Sequence, residues 1–167
     1  MTVKTSFPAV VDQETMVLVL GSLPGDRSLA ERRYYAHPQN QFWKLMSVVI
    51  GVDLQALDYE ARLNALLNTG VGLWDVIGAA TRAGSTDAAI RSVSANDLTG
   101  LIRSLPKLRA IGFNGGTALN IGRRQLGVLA GAYRIVALPS SSPLHTVGVA
   151  AKQAAWNELS EFLPLKP

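Results

Sequence analysis

The chain has 167 residues, 48% of them hydrophobic, which suits one domain with a sizeable core and argues against disorder. Sixteen Lys and Arg stand against twelve Asp and Glu, a formal net charge of +4, and eleven of the sixteen are Arg, the residue best suited to phosphate contacts; this favours a polyanionic partner mildly. No cysteine is present, which excludes a disulfide framework, a thiolate zinc site and a cysteine-held iron–sulfur cluster, and His37 and His145 alone make a poor metal site, so neither metal nor cofactor is expected.

Residues 1–11 lack a basic stretch followed by an apolar one, and no window approaches about 18 uninterrupted apolar residues. A soluble, cytoplasmic, monomeric protein with no membrane partner is the expectation. In chain order, Met16 to Gly21 reads as a buried strand and runs directly into the loop Gly21-Ser22-Leu23-Pro24-Gly25. Gln41 to Ile50 sets Phe42, Leu45, Met46 and Val49 on one helical face, and Tyr59 to Leu67 repeats apolar residues at helical spacing. A second strand is read at Val71 to Ile77, a helix at Asn96 to Leu105, a third strand at Leu108 to Phe113 and a helix at Thr117 to Leu126. The fourth strand, Tyr133 to Leu138, runs into Leu138-Pro139-Ser140-Ser141-Ser142-Pro143-Leu144, and a helix from Val147 to Phe162 follows. Short runs that are apolar on both faces, alternating with helices, predict an α/β fold: a three-layer α/β/α sandwich with a central, mostly parallel four-stranded sheet. Neither an internal repeat nor a linker interrupts residues 1–167, so one domain is expected.

Ligands of an open α/β sheet bind outside the carboxyl ends of its strands, so the two Gly/Pro/Ser loops are expected to flank one cleft. The stretch Arg32-Arg33-Tyr34-Tyr35-Ala36-His37-Pro38-Gln39-Asn40-Gln41-Phe42-Trp43 holds two arginines, four aromatics and an Asn just before a helix. Phosphate contacts, stacking faces and amide hydrogen bonds together are the parts of a pocket that grips a base. The bland reading of the first loop is a turn, with Gly25 free to take positive φ and Pro24 fixing direction.

At these residues the chain resembles the uracil-DNA glycosylase superfamily, in particular its hypoxanthine-DNA and mismatch-specific branches. Gly21-x-x-Pro24-Gly25 is similar to the family's first motif, His37-Pro38-x-Asn40-x-Phe42-Trp43-Lys44 to the segment after it, Gly70 to Asp75 to the strand whose last residue reads the base edge, and Pro139-Ser140 through Pro143-Leu144 to the second motif, a minor-groove loop with a Leu wedge. The resemblance implies a base-excision enzyme without cofactor, acting on DNA that contains a deaminated base: hypoxanthine first, uracil or xanthine as alternatives. It departs from many relatives in carrying Leu23 where a polar residue positions water, and Leu138 where several branches have His or Asn.

Each residue also has a structural reading. Asn40 opens a helix and could be only its cap; with Leu23 apolar, it is the candidate to orient the attacking water. Ser22 and Leu23 of the first motif are assigned to the base site. Asn114 could be a turn residue after its strand or a reader of the base. Asp75, a lone carboxylate in an apolar run, could be a hydrogen-bond hub or the acceptor for N1–H of hypoxanthine. Tyr35 could be core or the aromatic on which a flipped base stacks, while Phe42 and Trp43 read as core. Loop amides and Ser140, Ser141 and Ser142 are expected to hold flanking phosphates, with Pro143 in the same DNA-binding loop, Leu144 to fill the vacated stack, and His145 to touch phosphate; His37 reads as locally bonded. Two rivals remain: a DNA-binding relative that has lost activity, and a serine esterase using Ser140 to Ser142 with His145, against which no Gly-x-Ser-x-Gly elbow is present.

Overall fold

A computed structural model describes residues 3–164. Among the described residues seven strands and six α-helices follow one another: β1 (Val3–Thr5), β2 (Val17–Gly21), α1 (Asp26–Glu31), α2 (Phe42–Ile50), α3 (Tyr59–Thr69), β3 (Val71–Asp75), β4 (Ile77–Thr81), β5 (Arg91–Ala95), α4 (Leu98–Arg103), β6 (Ala110–Asn114), α5 (Gly116–Leu126), β7 (Arg134–Leu138) and α6 (Val149–Trp156). The main sheet has the order β3-β2-β6-β7 and every pair in it is parallel. The four strands expected from the sequence form this sheet, each within two residues of its expected start.

β2 lies in the middle and is buried along its whole length. Successive side chains on a strand point to opposite faces, and here the alternation assigns them to two cores. Val17 and Val19 pack with Phe42, Leu45, Met46 and Leu66 from α2 and α3 and with Trp156 from α6. Leu18 and Leu20 pack with Leu98 and Ile102 from α4 and with Ala118 and Leu126 from α5. Helices therefore cover both faces, the three-layer arrangement a parallel sheet requires. The expected helix from Val147 to Phe162 is α6 followed by a 3-10 segment, Asn157–Phe162.

The expected strand Val71 to Ile77 is two strands. β3 ends at Asp75, and the chain passes through Val76 into β4, which pairs antiparallel with β1 and β5 in a separate three-stranded sheet. Val76 N–H still donates to the Gly21 carbonyl and Ile77 N–H to that of Ser22, so the end of β2 is bonded to the departing chain. This departure sets Asp75 at the carboxyl edge of the main sheet and carries the β4–β5 connection, residues 82–90, beside the first loop. None of the described helices is long and apolar enough to cross a membrane.

Candidate active site

The carboxyl ends of β2, β3, β6 and β7 open into a cleft of about 430 Å³. Both Gly/Pro/Ser loops line it, together with Tyr35, Asn40, Asp75 and Asn114. Leu23, expected at the base site, is buried and its side chain belongs to the core cluster that includes Leu98 and Ile102 of α4 and Ala118 and Leu126 of α5.

The floor is built around Gly21. A Cβ there would stand 2.7 Å from Asp75 Oδ1 and 3.3 Å from the Tyr35 hydroxyl, so only glycine lets these two groups converge on the end of β2. Tyr35 itself sits at φ 54°, a left-handed backbone that bulky residues seldom adopt. Its ring lies 3.9 Å from that of Phe42 at an interplanar angle of 14° and is edge-on to Trp43, whose Nε1 donates to the Tyr35 carbonyl. Phe42 and Trp43 are core, as expected, and they hold Tyr35 by one face while its partly exposed remainder lines the cleft.

Asp75 is 3% exposed. Its carbonyl accepts from Asn96 Nδ2, but among the described residues nothing donates to its carboxyl group, and Oδ2 is buried without a partner. The hydrogen-bond hub considered from sequence is therefore absent at the carboxyl group. Burial pushes its pKa up to about 7; the neighbouring Asp87 carboxylate adds to the rise and the Arg82 guanidinium opposes it. A buried carboxyl without a donor is costly unless something arrives to satisfy it.

Asn40 precedes the formal helix cap, Gln41, which makes no side-chain capping bond. Asn40 Oδ1 accepts from the Phe42 N–H at 2.9 Å, so it serves one of the first orphan donors of α2. Its Nδ2 makes no hydrogen bond among the described residues. The capping bond thus fixes the amide plane and leaves its other half directed to no protein partner.

Asn114, at the end of β6, is in a different state. Ser141 N–H donates to its Oδ1 at 2.9 Å, and its Nδ2 donates to Ser141 Oγ at 2.9 Å and to the Tyr35 hydroxyl at 3.4 Å. The side-chain amide is spent on tying the second loop to the sheet. The residue after it, Gly115, turns the chain into α5 at φ +97°, a conformation that favours glycine.

The remaining expected groups are placed as follows. Ser22 Oγ donates to Asp87 Oδ1 at 2.7 Å. Gln39 N–H donates to His37 Nδ1, the local bond expected for that histidine. Ser140 Oγ accepts from Ser142 N–H and Ser142 Oγ from Leu144 N–H, closing small turns within the loop. Among the described residues no bond joins any of these serines to the His145 ring, which removes the geometric basis of a Ser–His nucleophile. Pro143 lines the cleft, and Leu144 is 61% exposed beside it.

Two contributors escape the sequence reading. Arg82, 1% exposed, sends Nη2 to the Pro24 carbonyl at 2.6 Å, Nη1 to that of Leu23 at 3.5 Å and Nε to that of Gly84 at 2.8 Å. It draws the first loop's carbonyls away from the cleft, and among the described residues the N–H groups of Ser22 and Leu23 have no backbone acceptor. Ser85, Thr86 and Asp87 of the β4–β5 connection line the cleft as well. The available signal was the turn-rich run Arg82-Ala83-Gly84-Ser85-Thr86-Asp87 directly after an apolar stretch. Among the described residues no group of three or more His, Asp or Glu side chains is placed to hold a metal ion.

This cleft, at the carboxyl edge of a four-stranded parallel sheet, lies within the stretch that the sequence profile of the uracil DNA glycosylase superfamily matches, residues 8–160. The chain belongs to this superfamily. It is 44% identical over 140 residues to a protein of Methanosarcina acetivorans named hypoxanthine DNA glycosylase, covering 84% of this chain and 87% of that one. A protein of the same name from Methanosarcina barkeri is 38% identical over 155 residues, 93% of this chain and 96% of the relative. A solution NMR structure of a Methanosarcina acetivorans protein, provisionally named a uracil DNA glycosylase, superposes with a TM-score of 0.84 at 40% identity, covering 95% of this chain and 97% of the other.

Proposed function

We propose that this protein is a monofunctional DNA glycosylase that hydrolyses the N-glycosidic bond of a flipped deaminated base, with hypoxanthine as its principal substrate. The observation that carries the reading is the buried, unpartnered carboxyl group of Asp75 at the floor of the cleft. Hypoxanthine presents an N1–H donor beside its O6 acceptor, and an ionised Asp75 accepts that donor. Adenine offers an unprotonated N1 at the same position, which leaves the carboxylate without a donor and costs about 1–3 kcal/mol per unpaired buried group. The relatives named hypoxanthine DNA glycosylase support the same substrate.

Extruding a base from the duplex costs a few kcal/mol and least for a weakly paired one, so selection starts before the pocket is reached. Tyr35 supplies the stacking face, and Leu144 fills the gap left in the duplex. Cleavage passes through an oxocarbenium-like state. The Asn40 amide, oriented by its bond to Phe42, holds a water for attack on C1′, while the free N–H groups of the first loop stabilise charge developing on the departing base. Among the described residues no lysine lines the cleft, so the reaction leaves an intact abasic strand rather than a nicked one.

The test is a set of duplexes carrying hypoxanthine, uracil, xanthine or adenine at one position. Release of free hypoxanthine, fastest of the four, with strand scission only after alkali, is the expected result. Binding to these duplexes without release of any base would leave the inactive DNA-binding relative as the reading, and direct scission would contradict a monofunctional enzyme.

A further inference from the structure

The loop that carries Leu144 is tied down more heavily than its exposure suggests. Gln41 N–H donates to the Ser141 carbonyl and Trp156 Nε1 to that of Pro139, both at 2.9 Å, and Asn114 grips Ser141 from the sheet. One further tie is a charge. Lys152, in α6, is fully buried, and its Nζ donates to the His145 carbonyl at 2.9 Å and to the Ser142 carbonyl at 3.4 Å. Among the described residues no carboxylate lies within 4.0 Å of this ammonium, and burial pushes its pKa down. An unpaired buried ammonium is unfavourable, and an apolar side chain of the same length would fill the position without that cost. What the lysine alone supplies is a pair of charge-assisted bonds to two carbonyls that bracket Leu144.

We infer that Lys152 is a positioning residue: it braces the turn from Ser142 to His145 from below, so that Leu144 is presented to the DNA in a fixed pose. The inference rests on the reading of this protein as a glycosylase that opens a duplex. Leu144 itself is 61% exposed and contributes little to the protein's own core, yet the backbone on either side of it is bonded: Leu144 N–H to Ser142 Oγ, His145 N–H to the Ser142 carbonyl, and both bracketing carbonyls to one ammonium. An ordered backbone under a free apolar tip is what a wedge requires, because ordering the loop only on contact with DNA would subtract from the free energy available to hold the base out of the stack.

The experiment combines hydrogen exchange with excision. In Lys152→Met the amides of Ser142 and of residues 144–146 are expected to exchange about tenfold faster while those of the main sheet are unchanged, the scale of losing hydrogen bonds to a charged group. Excision of hypoxanthine paired with cytosine in a duplex should fall about tenfold, and excision from the same strand left unpaired in a bubble should stay within about twofold, because no stack has to be opened there. Adding Lys152→Met to Leu144→Ala should cost little beyond Leu144→Ala alone, since the lysine acts through the leucine. Unchanged exchange at Ser142 and residues 144–146, equal losses on duplex and bubble, or additive losses in the double variant would each overturn the inference. Should Lys152→Met fail to fold, Lys152→Gln, whose shorter and neutral stem loses the charge-assisted bonds to both carbonyls, carries the same readings. If the wild-type protein releases no base, the glycosylase reading fails, and the exchange measurement still decides whether Lys152 braces the loop.

Discussion

The two asparagines that line the cleft have the same side chain and opposite bonding states. Asn114, on the sheet side, is 7% exposed, and both ends of its amide are committed, chiefly to Ser141. Asn40, on the α2 side, commits one oxygen lone pair to the Phe42 N–H and keeps its Nδ2 free of protein partners among the described residues. The difference separates two tasks that sequence alone runs together. A side chain that must meet water or substrate needs unspent hydrogen-bonding capacity, and one that must hold a loop needs all of it spent. For Asn40, cap and water-positioning are also compatible: the capping bond is what aims the amide.

The largest effect is expected at the free amide. Asn40→Ala should lower single-turnover excision about a hundredfold, the scale of removing one positioned catalytic group, and lower stability by about 1 kcal/mol through the lost cap. Asn40→Ser separates the two, because a hydroxyl still accepts from a helix N–H while offering no amide. Its melting temperature should match the wild type and its excision should resemble Asn40→Ala. If Asn40→Ser excises normally, the residue is a cap and the contrast between the two asparagines loses its meaning.

Between them, Asp75 tests the floor of the cleft. Asp75→Asn replaces an acceptor with a group that offers N1–H a weaker acceptor or a clashing donor, and excision of hypoxanthine should fall about thirtyfold, within the range for one unpaired buried group. In the wild type, excision should rise with pH through about 7 as Asp75 ionises, and that step should vanish in Asp75→Asn. Stability runs the other way. The folded protein holds the Asp75 proton up to about 7, whereas the unfolded chain releases it near the ordinary value of 3.8, so between these limits the native state binds more protons. Stability therefore falls as pH rises through that window, by at most about 1.4 kcal/mol per pH unit. Thermal melts at pH 5 and pH 8 should show Asp75→Asn losing less stability than the wild type over this interval. Parallel losses in both proteins would mean that Asp75 is not the group whose proton is held.

What was legible in the sequence follows the same logic of burial. β2, β3, β6 and β7 are largely apolar runs because helices cover both faces of their sheet, with β2 and β6 also paired along both edges, and such runs stand out without any structure. β5, Arg91-Ser-Val-Ser-Ala95, is exposed along its whole length, β1 is three residues long and β4 is built largely of small residues, so the second sheet leaves no periodicity to read. The two glycine- and serine-rich loops and their cleft were visible because turn chemistry is local. The role of Arg82 was not, because it depends on carbonyls 58 and 59 residues earlier in the chain, and the commitment of Asn114 to Ser141 depends on a contact across 27 residues. Local chemistry identifies candidates, and only the assembled fold shows which of their atoms are spent.

The spent amide gives the smallest and most discriminating effect. Removing Asn114 leaves the buried Ser141 N–H and hydroxyl without their partners, and the loop that carries Leu144 loses its anchor to β6. Excision by Asn114→Ala should then fall about tenfold, the lower part of the range for an unsatisfied buried group. The sequence reading, in which Asn114 touches the base, predicts that binding to abasic-site DNA is nearly untouched, since phosphate contacts supply most of that affinity. The bonding pattern predicts the opposite: the loosened loop weakens its grip on the abasic product by a factor similar to the loss in excision. Both are measured on one duplex by single-turnover kinetics and by titration of a non-cleavable abasic analogue. Parallel losses would establish Asn114 as the clamp that contrasts with Asn40. A loss confined to excision would mean that Asn114 releases Ser141 and turns to the base when DNA is bound, so that the two asparagines differ only in the free protein.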